Sequence, residues 1–241
     1  MSNVLFDHIA IGVPRMADAP AVLAGVLGGV PTDGASSRVF RWGVWRFAGG
    51  GDIEILEPRG DDGFLHRFLA QRGPGIHHVT FRVPSLREAC ERAEARGYSV
   101  VGYDDSDPSW MEAFLHPREA LGIVVQFAEE RARRPESSRR WRPPPGPADP
   151  PPPVRILGLR MRARSREAAR RQWEEILLGE GTLGEDGTLG YRWPGSPMRL
   201  VVEIDPAAEE EPVAIEYASD REITLPNGPH PVLGARFTQD H

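Results

Sequence analysis

Four side chains that can bind a metal recur at matching places in this sequence: His8, Glu54, His78 and Gln126. Position 78 follows position 8 by 70 residues, and position 126 follows position 54 by 72. Two imidazoles, a carboxylate and an amide carbonyl can bind a divalent first-row metal and leave positions for water or substrate. Because both the histidine and the oxygen-bearing residue recur, the pattern favours a metal site over its alternative, a metal-free pocket.

An internal repeat surrounds these residues and predicts the elements that carry them. Residues 7–14 and 77–84 both alternate apolar and other side chains and end at a Val-Pro pair, as a half-buried strand does where proline stops its pairing. Residues 52–57 and 124–129 form a second matching pair of strands. A helix and two further strands fit between them, so each copy is predicted to be a β-α-β-β-β module.

The helix of each module has its own sequence signals. In the second copy, Ser85 and Glu88 have the spacing of a capping box, and Gly97 is a stop signal. Cys90 lies on the apolar stripe of this helix, which predicts a small core residue with no catalytic role. In the first copy, Asp18 is the predicted cap.

Strand alternation predicts that the four polar residues share the non-core faces of equivalent strands. On the first strand, Ala10 and Gly12 lie on the face of His8, and their small side chains predict open space beside the histidine. His77 adjoins His78, but alternation directs it to the opposite face. We therefore expect His77 to have a structural or supporting role.

Several polar or aromatic residues near these strands are candidate substrate contacts. Arg82 shares a face with His78 and could bind a carboxylate or phosphate through two hydrogen bonds, or reach solvent instead. Trp42, Tyr103 and Trp110 could contribute to an aromatic wall of the same site.

The remaining chain predicts a linker and a further domain. Nine prolines lie between Pro135 and Pro153, so residues 131–153 are predicted to be an extended Pro/Arg-rich linker. Residues 1–130 form the first domain, with modules at about 4–70 and 74–130. Residues 154–241 repeat the pattern in degenerate form, with a strand at 154–161, a helix at 166–178 and strands at 199–204 and 213–217. Here Glu203 matches Glu54 but Leu157 replaces the histidine, so no metal is expected in this module.

Composition and charge limit the classes of binding partner and the cellular compartment that we expect for this protein. The 241-residue chain has a formal net charge of −6, which argues against a nucleic-acid partner. It has one cysteine, no apolar run long enough for a membrane helix and no secretory pattern, so we expect a cytoplasmic protein without a membrane partner. A small-molecule substrate is the expected partner, and a homodimer is an open option.

The segments DHIAIGV, IEILEP, GPGIHHVTFRV and HPREALGIVVQF resemble the vicinal oxygen chelate superfamily, in particular its glyoxalase I and methylmalonyl-CoA epimerase-like members. The resemblance covers about residues 4–130. It implies an α+β fold in which paired βαβββ modules form a cupped mixed sheet around one divalent metal ion. The ligands on the first and last strands of each module then correspond to His8, Glu54, His78 and Gln126. Gln126 departs from the pattern, since glutamate is usual there.

The resemblance also implies the chemistry. An isomerase, epimerase or lyase of this type acts on a small enolisable carbonyl or acyl-thioester substrate, with Zn, Ni, Co, Mn or Fe stabilising the enolate. Glu54 is then the only ligand carboxylate and the candidate catalytic base. The acidic base that epimerases carry after the first helix has no obvious equivalent here. Two alternatives stay open: a metal-independent ligand-binding or resistance protein of the same fold, and an Fe(II)-dependent dioxygenase.

Overall fold

The first module has the predicted β-α-β-β-β order. A computed structural model describes residues 3–132 and 141–240 of the chain. The elements of the first module are β1 (Leu5–Gly12), α1 (Pro20–Leu23), β2 (Val30–Ser36), β3 (Phe40–Arg46) and β4 (Asp52–Pro58). Ile9, Ile11 and Ile53 are fully buried, as the apolar alternation predicts.

The second module repeats this order after an additional helix, α2 (Phe64–Arg72), which the sequence reading did not include. Its elements are β5 (Gly75–Arg82), α3 (Leu86–Glu94), β6 (Val100–Asp104), β7 (Met111–Leu115) and β8 (Val124–Glu129). Val79 and Phe81 are its buried counterparts of Ile9 and Ile11.

The two module helices begin differently. The Ser85 hydroxyl accepts a hydrogen bond from the Glu88 backbone N–H at 3.3 Å, which confirms the predicted cap of α3. Cys90 is buried in that helix, and burial raises the pKa of its thiol to about 11, in keeping with a core role. The predicted cap of the first helix is wrong. Asp18 lies in a 3-10 turn, and α1 begins at Pro20 without a side-chain cap.

The predicted third module lies after the linker, and its β-α-β-β-β order is confirmed. It consists of β9 (Arg155–Ala163), α4 (Arg166–Arg170), a π-helical turn (Arg171–Ile176), β10 (Glu180–Leu183), β11 (Leu189–Arg192) and β12 (Arg199–Ile204). Two more strands follow, β13 (Glu211–Ala218) and β14 (Phe237–Gln239). In and just after the π-helical turn, Trp173, Ile176 and Leu177 are fully buried.

These strands form two mixed sheets, as the predicted fold class requires. The eight-stranded sheet has the order β2-β3-β4-β1-β5-β8-β7-β6, and the six-stranded sheet has the order β10-β11-β12-β9-β13-β14. Each first strand pairs in parallel with the last strand of its own module: β1 with β4, β5 with β8 and β9 with β12. Within the described residues, no helix is long and apolar enough to cross a membrane.

The chain divides into two compact units, each built from distant segments. The second-module unit contains the chain up to Asp7, the second module from His78 onward, and Gly158–Val213. Of the described residues, the first-module unit contains His8–His77, residues 141–157, and the chain from Ala214 onward.

In the second-module unit, α3 packs against the π-helical turn. The Arg92 guanidinium donates to the Ile176 carbonyl at 3.0 Å, and Arg96 forms an ion pair with Glu175 at 2.7 Å. Behind them, the ring of Phe81 lies 4.7 Å from that of Trp193. The π-helical turn therefore covers one side of α3.

In the first-module unit, linker residues from Trp141 onward lie against the module. The backbone N–H of Val154 donates to the Leu27 carbonyl, and its carbonyl accepts from the Ala48 N–H. A Cβ added at Gly146 would lie only 2.3 Å from the Cβ of Ala24, next to α1. Linker residues 133–140, which include Arg139 and Arg140, lie outside the described residues.

Candidate metal centre

His8 and Glu54 form a close buried pair in the first-module unit. The parallel pairing of β1 with β4 sets Glu54 beside Ala10, one alternation step from His8. The His8 Nε2 atom lies 3.6 Å from the Glu54 Oε2 atom, and the residues are only 5% and 9% exposed. A buried imidazole and carboxylate at this distance can both direct lone pairs toward one ion.

His78 completes a group of three potential ligands. It lies on β5 and is 6% exposed, and one ligand atom each from His8, Glu54 and His78 lies within 4.8 Å of the others. Ligands at 2.0–2.2 Å from one zinc-like ion are about 3–4 Å apart, so small side-chain adjustments would bring the three donors into range. The donor set is chemically suited to a divalent first-row metal.

Gln126 lies in a row of hydrogen bonds on β5, β7 and β8. Its Oε1 atom accepts from the Thr80 hydroxyl at 2.6 Å, and its Nε2 atom donates to the Glu112 Oε2 atom at 2.7 Å. Gln126 and Thr80 are 6% and 0% exposed. A carbonyl oxygen has two lone pairs, so a hydrogen bond from Thr80 leaves one for a metal.

Glu112 is a site residue that the sequence reading missed. On β7 it alternates with Met111, Ala113 and Leu115, which are buried. That alternation is readable in the sequence and assigns Glu112 to the other face of the strand. The resemblance implies an additional acid after the helix of the first module, whereas Glu112 follows the helix of the second module.

Arg82 and Trp110 lie together in the second-module unit. The Arg82 guanidinium forms ion pairs with Asp7 at 2.6 Å and Glu130 at 3.1 Å. It also lies over the Trp110 ring, 5.9 Å from the centroid. Arg82 is thus already held by two carboxylates, and a substrate anion would have to compete with them.

The other two predicted substrate contacts lie in different surroundings. Tyr103 is on the edge strand β6, is 48% exposed, and its hydroxyl is 3.5 Å from Asp105. Trp42 is on β3 and packs against an apolar cluster that includes Ala10 and Leu56. Tyr103 therefore lies at an exposed sheet edge, whereas Trp42 packs in an apolar cluster.

Helix α2 fills the space that the sequence reading left open beside the first strand. Leu65 belongs to the buried cluster with Ala10, and Phe68 packs against it. A Cβ added at Gly12 would lie 3.0 Å from the Phe68 ring. The expectation of open space at Ala10 and Gly12 is therefore wrong, because their small side chains make room for a helix.

His77 also packs against α2. Its ring lies 4.8 Å from that of Phe68 and 5.4 Å from that of Phe64. Burial lowers the pKa of His77 to about 4, since this aromatic environment cannot solvate an imidazolium ion. The structural role predicted for His77 is confirmed by these contacts.

We expect His77 to make folding stability sensitive to acid. The unfolded chain takes up a proton near the usual pKa of 6.5, whereas folded His77 does so only near 4, so stability falls as the pH drops between these values. The loss should be on the order of 2 kcal/mol. His77→Leu should remove this part of the pH dependence in urea titrations at pH 7 to 4. The exposed His116→Leu is the control, and equal pH slopes in the two variants would contradict the assignment.

The sequence of this region matches a known family. Residues 7–114 match the Glyoxalase/Bleomycin resistance protein/Dioxygenase superfamily. The chain contains a glyoxalase-superfamily domain. The predicted membership in the vicinal oxygen chelate superfamily is therefore confirmed for this part of the chain.

Two relatives each match about half of the chain. An uncharacterized protein of Bacillus subtilis (strain 168), YqjC, is 29% identical over 126 residues, which cover 51% of this chain and 90% of the relative. An ethylmalonyl-CoA/methylmalonyl-CoA epimerase of Cereibacter sphaeroides is 28% identical over 131 residues, covering 51% of this chain and 96% of the epimerase.

A solved structure is similar over nearly the whole chain. A mutant 4-hydroxymandelate synthase from Streptomyces coelicolor superposes with a TM-score of 0.62 and 14% identity, covering 92% of this chain and 72% of the synthase. At this identity the likeness concerns the fold alone. Because it covers 92% of the chain, the likeness in fold includes the C-terminal module.

Proposed function

We propose that this protein is a metal-dependent isomerase, epimerase or lyase that acts on a small enolisable carbonyl or acyl-thioester substrate. The observation that carries the proposal is the buried group of His8, Glu54 and His78, whose ligand atoms lie within 4.8 Å of one another. Two imidazoles and a carboxylate that converge at a buried position form a donor set suited to a divalent first-row cation. Gln126 is the proposed fourth, weaker ligand.

The chain's own residues then have separate roles. His8 and His78 bind through neutral ring nitrogens, and Glu54 supplies the only carboxylate of the proposed ligand set. A divalent ion bound there would act as a Lewis acid toward a substrate oxygen on which negative charge develops. Glu54 is the proposed base that takes the proton from the adjacent carbon, because the Gln126 amide cannot accept a proton at neutral pH.

The named relative supports the acyl-thioester branch of this proposal. The Cereibacter sphaeroides protein is an epimerase of ethylmalonyl-CoA and methylmalonyl-CoA. Epimerisation of such a compound moves one proton at a carbon next to a thioester carbonyl. The proposed base and Lewis acid fit that step.

The test is proton exchange with solvent. Purified protein is stripped of metal, reloaded with Zn, Ni, Co or Mn, and mixed in D₂O with methylmalonyl-CoA or with a hemithioacetal. We expect deuterium to enter the acidic C–H position only in the reloaded protein, and chelation to reduce the rate by about a hundredfold or more. Absence of exchange with every metal, together with equal ligand binding by stripped and loaded protein, would favour the metal-independent binding protein.

The same donor set supports one other function. Two histidines and one carboxylate with open positions are typical of Fe(II) oxygenases, and His8, Glu54 and His78 supply that combination. The Fe(II)-loaded protein is therefore tested for oxygen consumption with a catechol. Uptake that requires both iron and the catechol would replace the isomerase proposal with the dioxygenase.

A further inference from the structure

Two N–H groups converge on one oxygen of Glu112. The Gln126 Nε2 atom donates to Glu112 Oε2 at 2.7 Å, and the Trp110 Nε1 atom donates to the same oxygen at 3.0 Å. An indole nitrogen can only donate, and an ionised carboxylate can only accept. The direction of both hydrogen bonds is therefore fixed by chemistry.

This arrangement decides which way the Gln126 amide faces. An amide side chain has a donor end and an acceptor end of nearly equal shape, so its hydrogen-bond partners select the orientation. Thr80 does not discriminate, because a hydroxyl both donates and accepts. Glu112 does discriminate, because a flipped amide would bring its oxygen against the carboxylate. Only the observed orientation directs Oε1 toward Thr80.

We propose that Glu112 is a positioning residue that holds the Gln126 amide with its oxygen available to the metal. The inference rests on the proposed function for the presence of a metal, since an amide binds a cation through its oxygen and not through its NH₂ group. Glu112 touches neither metal nor substrate in this role. It acts through Gln126, as partners that orient metal ligands commonly do.

The same contact gives a reason for glutamine at position 126. The Gln126 nitrogen is 2.7 Å from a carboxylate oxygen, so a glutamate at 126 would bring two carboxylates within hydrogen-bonding distance. Like charges this close repel each other. Glu112 and Gln126 therefore form a complementary pair of one acid and one amide.

The first experiment measures Co(II) binding by the full-length Glu112→Gln variant. A glutamine at 112 can donate as well as accept, so the preference for one orientation of Gln126 is lost. We expect Co(II) affinity to fall by about tenfold to a hundredfold, with a change in the Co(II) d–d absorption spectrum. Glu130→Gln, which removes a carboxylate that pairs with Arg82, is the matched control and should leave both readouts unchanged.

The second experiment exchanges the two side chains. Gln126→Glu alone sets two carboxylates together and should lose affinity relative to the double variant Glu112→Gln/Gln126→Glu, which restores one acid and one amide. Glu112→Gln should therefore weaken Co(II) binding in the wild-type background and strengthen it in the Gln126→Glu background. A merely structural role for Glu112 would not reverse the sign of its effect.

The outcomes separate this inference from the proposed function. Wild-type protein that takes up no Co(II) would overturn the metal-dependent function, and the positioning role with it. Wild-type protein that binds Co(II), with the same affinity and spectrum in Glu112→Gln, would overturn the positioning role alone. If Glu112→Gln does not fold by circular dichroism, the comparison of Gln126→Glu with the double variant carries the test, and equal affinities there would also overturn it.

Discussion

Glu54→Ala is expected to lower the affinity for a divalent metal by about a hundredfold or more, equivalent to about 3 kcal/mol of binding free energy. The substitution removes the only carboxylate among the three grouped residues and leaves two neutral imidazoles. Neither Gln126 nor any other proposed ligand can replace its negative charge. Competition with a chromogenic chelator, with Zn(II) or Co(II), measures the change.

The third module supplies a matched control for this substitution. Glu203 lies on β12, the strand that corresponds to β4, but its carboxylate contacts Arg160 at 3.2 Å and Arg162 at 3.9 Å. Glu203→Ala should therefore leave metal affinity unchanged. Equal losses in the two variants, or full affinity in Glu54→Ala, would show that Glu54 is not a ligand.

Phe81→Ala is expected to produce the largest loss of folding stability, about 3–5 kcal/mol. Phe81 is fully buried in the second-module unit. Its ring stacks on that of Phe6 at 4.9 Å and lies 4.7 Å from that of Trp193, so truncation would leave a cavity among large aromatic side chains. A loss of this size is a large part of the 5–15 kcal/mol that typically stabilises a domain.

Urea unfolding followed by tryptophan fluorescence measures this effect. Phe64→Ala is the matched control, because Phe64 is 39% exposed and its ring has an edge contact with Phe40 at 5.5 Å. The control should lose about 1 kcal/mol. Similar midpoints for Phe81→Ala and Phe64→Ala would contradict the assignment of Phe81 to the core between the second and third modules.

The sequence predicted the features that depend on local pattern. Alternating apolar residues identified the first and last strands of each module, and the duplicated histidine identified equivalent positions on them. The capping box at Ser85 is also local, because its two partners are three residues apart. In the structure β1 pairs in parallel with β4 and β5 with β8, which brings each histidine strand beside the strand of the oxygen ligand.

Features that depend on tertiary packing were not predicted. Helix α2 has a readable apolar spacing at Phe64, Leu65, Phe68 and Leu69, but the repeated module has no position for it. The π-helical turn has no local signal, because its extra residue per turn serves the burial of Trp173 and Ile176. Glu112 was overlooked because its importance lies in a hydrogen bond to Gln126, and one sequence does not reveal that partner.

The linker reduces the loss of conformational entropy that covering α1 of the first-module unit requires. In the second-module unit the π-helical turn packs on α3, whereas in the first-module unit Pro144, Pro145 and Pro147 lie beside α1. The Arg221 guanidinium connects this segment to the end of the first-module helix region, because it donates hydrogen bonds to the carbonyls of Val26 at 2.6 Å and Pro152 at 3.2 Å. A helix in this position would have to lose the backbone freedom of every residue on folding. Polyproline is restricted to an extended conformation before it docks, so it covers α1 at a smaller loss of conformational entropy.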